Sequence, residues 1–116
     1  MIVDFAHPLT REDRRSLLIH AAIVEKLRSA PESVLGQARY TLRRMQRAHP
    51  AAAAPLAHWD TLLSLPLEHV IDVLVDPRPF ARELRHCTPF AGVLTAAERT
   101  AVYQDFAVSE SVRSKR

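Results

Sequence analysis

The sequence predicts an all-α fold, a single compact domain of about six helices. Three observations carry this. Apolar residues recur at spacings of three and four along most of the chain. Glycine occurs only twice, and the eight prolines fall where one apolar run stops and the next begins. No alternating apolar–polar pattern runs longer than a few residues, as a half-buried strand would require. A chain of 116 residues can bury one hydrophobic core without disulfides or a structural metal.

The first helix is expected from about Thr10 to Arg28. Thr10 is a good N-cap, and Asp13 three positions on makes an acidic capping box. Leu17, His20, Ile23, Val24 and Leu27 share its inner face. The second helix opens at Pro31, a favoured first-turn proline, and closes near His49, ahead of Pro50. Val34, Leu35, Ala38, Leu42 and Met45 form its buried stripe. Ala51 to Ala54 read as a linker or as the start of the third helix, which spans about Pro55 to Ser64 with Trp59, Leu62 and Leu63 inward. The fourth covers about Pro66 to Val75 and is apolar around most of its circumference, which predicts a central position. Asp76 is expected to cap a fifth helix from Pro77 to about Cys87, with Phe80, Leu84 and Cys87 on one face. Residues 88–94 form a turn-rich connection in which Gly92 is expected to take a positive φ. Thr95 with Glu98 is a second capping box, opening a sixth helix to about Phe106. The helical domain is thus 1–108, with a short, frayed, flexible tail at 109–116. The predicted common core is Trp59, Val70, Ile71, Leu74, Phe80 and Leu84.

Composition narrows the class of function. With a single cysteine, Cys87, the chain can form no internal disulfide. The start Met1-Ile2-Val3-Asp4 lacks the basic and apolar regions of a signal peptide, and no apolar run approaches the ~20 residues of a membrane span. A cytoplasmic protein with no membrane partner is expected. The net charge of +3 is too mild to imply nucleic acid by itself. Fourteen of the sixteen basic residues are arginine and alanine is abundant, which suggests a bacterium with a GC-rich genome. No phosphate-binding glycine loop, nucleophile elbow or paired-carboxylate motif is present, so no catalytic residue, cofactor or small-molecule substrate is expected. The histidines and Cys87 lack zinc-ligand spacing. His20 lies on an apolar face and reads as a packed, hydrogen-bonded core residue, and Cys87 as a small core hydrophobe.

Two surfaces invite a binding role. On the second helix Arg39, Tyr40, Arg43, Arg44 and Arg47 lie opposite the apolar stripe, and no acid occurs between Ser33 and Trp59. Four guanidiniums beside an exposed aromatic suit phosphates, acidic side chains or a nucleic-acid backbone. The same pattern also fits a solvated face whose arginines pair with acids elsewhere. The fourth helix, the turn Asp76-Pro77-Arg78-Pro79 and the fifth helix have the turn length of a helix-turn-helix, whose reading helix would present Arg78, Arg82, Arg85 and His86. Ile71 and Val75 stand where small residues usually permit close crossing, and an ordinary helical corner explains the segment equally. A third, apolar edge is formed by Phe5, Leu9, Leu18 and Ile19, unless another part of the chain covers it.

The stretch Ala81–Thr95, together with Arg15–His20, Glu25–Arg28 and Trp59, resembles a group of small all-α bacterial proteins often labelled helix-turn-helix proteins, in the antitoxin position of two-gene toxin–antitoxin modules. The resemblance covers roughly residues 10–106. Its most specific piece is Pro89-Phe90-Ala91-Gly92-Val93-Leu94. It implies a non-enzymatic protein that neutralises a toxin enzyme encoded beside it and can repress its own operon by binding operator DNA. The group's usual plan adds a long disordered tail that wraps the toxin. This chain has only about ten residues after its last helix, so neutralisation through the folded surface is implied. The alternative is a small helix-turn-helix-like DNA-binding regulator.

Overall fold

A computed structural model describes residues 9–115. Of the described residues 81% are helical, and none is in a strand. The elements are α1 (Arg11–Ser29), α2 (Pro31–Ala48), a short 3-10 turn (Pro50–Ala52), α3 (Ala53–Leu63), α4 (Leu67–Val75), α5 (Pro79–His86) and α6 (Ala96–Ser114).

Local chemistry sets the helix starts. In both capping boxes the threonine hydroxyl accepts the backbone N–H three residues on, and the carboxylate at that position accepts the threonine N–H: Thr10 with Asp13 on α1, Thr95 with Glu98 on α6. Pro31 opens α2, and Pro50 opens the 3-10 turn that leads the alanine run into α3. α6 continues past Phe106 to Ser114, through most of the segment expected as a tail. Near this end Glu110 accepts a two-pronged contact from Arg14 Nε and Nη2 at 2.8 and 2.7 Å. At the other end Lys26 Nζ meets Glu98 at 2.8 Å, so α1 and α6 lie antiparallel.

α1 is the hub, packing on α2, α4 and α6, while α3 bridges α2, α4 and α5. Trp59, Leu74, Leu27, Ala38 and Phe90 are fully enclosed at the centre. Trp59 meets the Phe90 ring edge to face at 5.9 Å, and its Nε1 donates to the Leu84 carbonyl at 2.8 Å. The indole thereby buries a large apolar area without leaving its N–H unpaired.

The structure corrects three expectations. Phe80 is 50% exposed and stands outside the core; the Arg78 guanidinium lies 5.9 Å from its ring. Asp76 ends α4 rather than starting α5, and its carboxylate accepts the backbone N–H and the guanidinium of Arg78, the true N-cap position of α5. Gly92 has no positive φ, and an added Cβ would meet only Gln37 Nε2 at an ordinary 3.7 Å. The 89–94 segment is held instead by side chains that reach its carbonyls. Arg99 donates to Ala91 O at 2.6 Å, Gln37 to Gly92 O at 2.7 Å and Lys26 to Val93 O at 2.9 Å. Phe90 and Leu94 are buried.

Candidate binding surfaces

The five residues singled out on α2 are all exposed, and the helix brings them to one face. Their surroundings divide them. Arg39 Nη2 donates to the Leu63 carbonyl at 3.2 Å, and Arg43 reaches Asp60 at 3.2 Å, so both brace α2 against α3. Pairing with an acid elsewhere in the fold holds for Arg43 alone among the four arginines. Arg44 lies over the Tyr40 ring, 5.9 Å from its centroid, and Tyr40 is 65% exposed. Arg44 and Arg47 have no hydrogen bond or ion pair among the described residues. The unengaged part of the face is therefore Tyr40, Arg44 and Arg47.

The three arginines of the fifth helix do not form a common exposed surface. Arg78 is held by both carboxylate oxygens of Asp76, whose pKa is lowered chiefly by that guanidinium. Arg82 is half-buried and contacts Asp13 at 3.4 Å. Burial works to raise the Asp13 pKa, but the hydrogen bonds with Thr10 and the Arg82 charge outweigh it and leave it lowered. Arg85 is only 3% exposed. Its Nη1 donates to Val73 O at 3.0 Å and Asp76 O at 2.5 Å, the unpaired carbonyls at the end of α4. Arg85 is thus a cationic cap for α4, placed where the helix dipole favours positive charge. Burial lowers its pKa, and its Nε and Nη2 have no partner.

His20 sits in the same interior. Its Nδ1 lies 2.8 Å from the Ser16 carbonyl, which can only accept, so Nδ1 carries the proton. Nε2 is buried and unpartnered. Burial first, and the Arg85 charge second, push the His20 pKa down to about 4, so the ring is neutral at physiological pH. The expectation of a packed core histidine is met. Sequence reasoning missed Arg85 as a buried residue, although Ala81, Leu84 and Arg85 share the i, i+3, i+4 pattern of one helix face.

Cys87 is half-buried and burial raises its thiol pKa, against the activation a nucleophile needs. Among the described residues no cluster of three or more His, Cys, Asp or Glu could hold a metal ion. Among the described residues no helix is long and apolar enough to cross a membrane. Of the apolar edge, Leu18 is 37% exposed and Leu9 and Ile19 are half-buried; Phe5 lies outside the described residues.

Fold and surface together define a small all-α protein with an arginine–tyrosine face on its second helix. Comparison with protein-family models, curated proteins and solved structures finds no match.

Proposed function

We propose that this chain is an antitoxin-like binding protein that neutralises a toxin enzyme encoded beside it, using its folded surface. The observation that carries the reading is the α2 face: Tyr40, Arg44 and Arg47 stand on a rigid helix, exposed, with neither arginine hydrogen-bonded or ion-paired among the described residues. Arginine and tyrosine are favoured interface anchors. Enzymes that act on nucleotides or nucleic acids often have acidic or phosphate-recognising clefts, which such a face can fill and occlude. The nearly full-length resemblance to bacterial antitoxins supports the same reading, in a cytoplasmic setting.

Co-expression with the product of the adjacent gene tests it. The expected result is a complex that co-purifies and rescues growth. Arg44→Ala with Arg47→Ala weakens that complex if the arginine face is the anchor, whereas Leu18→Glu weakens it if the apolar edge is. A neighbouring product that is harmless alone would overturn the antitoxin reading.

A second reading, a DNA-binding regulator of its own operon, rests on the same arginine face rather than on α5, where Arg85 is buried and Arg78 and Arg82 are paired with acids. Binding of that kind weakens steeply with salt as counterions are released, and loss of Arg43 and Arg47 reduces both affinity and salt slope. No binding to its own promoter at low salt, alone or with the partner, would exclude it.

A further inference from the structure

α1 and α6 leave an open groove along their antiparallel contact. One part has a volume of about 510 Å³ and is continued by a second of about 180 Å³, the two sharing Ala22, Glu25 and Val102. The floor is made of small and apolar residues, Ala21, Ala22, Ala101 and Val102. The charge at its edge is acidic. Glu98 is taken by Lys26, but Glu25 and Asp105 are exposed and have no hydrogen bond or ion pair among the described residues. A groove floored by alanine accepts a protruding side chain, and its two unengaged carboxylates select a cationic occupant.

The α2 face has the complementary features. Tyr40 protrudes, Arg44 stacks on it, and Arg47 lies one turn further along the helix. Two unengaged cations to one side of a large knob match two unengaged acids at the edge of a small-residue floor. The two surfaces cannot meet within one molecule, because α2 is packed on α1 and α3 while the groove lies between α1 and α6. A symmetric pairing of groove with groove is disfavoured, since it sets Glu25 and Asp105 against like charges.

We infer that this chain self-associates head to tail, with Tyr40, Arg44 and Arg47 of one copy seated in the acidic α1–α6 groove of a second copy. Arg44 and Arg47 pair with Glu25 and Asp105, and the Tyr40 ring fills the space over Ala22 and Ala101. Because the contact joins two different surfaces, a pair of copies keeps one face and one groove free, and association continues beyond a dimer. It does not depend on the antitoxin reading, but any partner seated on the arginine face displaces the second copy.

Sedimentation velocity over a concentration series at low salt tests this, with circular dichroism confirming that each variant folds. The wild-type chain is expected to sediment faster as concentration rises and to return to monomer as salt screens the pairs. Arg44→Glu with Arg47→Glu removes the face and keeps the groove. Glu25→Lys with Asp105→Lys removes the groove and keeps the face. Each double variant alone is expected to lose self-association by more than about tenfold, because like charges then oppose each other. Mixed together, the two variants should associate again, since the intact groove of one takes the intact face of the other and the reversed face and reversed groove are themselves opposite in charge. A wild-type chain that stays monomeric throughout overturns the inference. So does a wild-type chain that associates while the mixed variants remain monomers, because another surface is then responsible. Partner binding separates the two readings: it is retained by the groove variant whether or not self-association occurs.

Discussion

Acidification should destabilise this protein through His20, and the size of the effect follows from its site. The folded-state pKa is about 4 against an ordinary value of 6.5, because the ring is buried beside Arg85 with Nε2 unpartnered. A histidine depressed in the folded state binds more protons when unfolded. Stability is therefore complete above about pH 6.5 and is lost as pH falls towards 4. The full shift corresponds to about 3 kcal/mol, of which about 2 kcal/mol is gone by about pH 5. The carboxylates held below their ordinary values, Asp13, Asp76, Glu98 and Glu110, lose their contributions at lower pH, so the window above pH 5 isolates the imidazole. Urea unfolding followed by Trp59 fluorescence reads the change directly, because Trp59 is fully enclosed when folded. His20→Gln removes the titration while leaving an amide able to donate to Ser16 O. Its own baseline stability is lower, but its curve should be flat between about pH 7 and pH 5, where the wild-type curve falls. Parallel loss in both chains would refute the assignment to His20.

Five further substitutions test the packing and the caps. Leu74→Ala, at a fully buried site on α4, should cost about 2–5 kcal/mol in denaturant unfolding. Trp59→Phe removes the indole hydrogen bond to the Leu84 carbonyl, which keeps the Cys87 N–H, and should cost about 1–3 kcal/mol by the same measurement. Gly92→Ala should change stability by less than about 0.5 kcal/mol and leave the melting temperature within about 2 °C, because no positive φ or close contact opposes a Cβ. Arg85→Ala should cost about 2–4 kcal/mol, since it strips the carbonyls of Val73 and Asp76 of their donor, whereas Arg78→Ala on the surface should cost less than about 1 kcal/mol.

Helix positions, capping boxes and most of the core follow from the sequence by itself. Thr10 with Asp13 and Thr95 with Glu98 are local signals, read within four residues, and the apolar spacing of Val34, Ala38 and Leu42 already defines the face that is buried. The exposed face of α2 follows for the same reason, since a helix converts spacing into direction. What lies across space was decided only by the tertiary structure. Phe80 and Arg85 compete for the inner side of α5: periodicity admits either, and the end of α4 needs a donor for its carbonyls, which Arg85 provides and Phe80 cannot. Arg39 and Arg43 are held by α3 and Arg44 and Arg47 are not, a division set by where α3 crosses α2. The groove between α1 and α6 exists because two helices far apart in the sequence lie antiparallel, locked at each end by Arg14–Glu110 and Lys26–Glu98. Local propensity is encoded in neighbouring residues, whereas these pairings join residues more than 70 positions apart, and their geometry exists only once the core has closed.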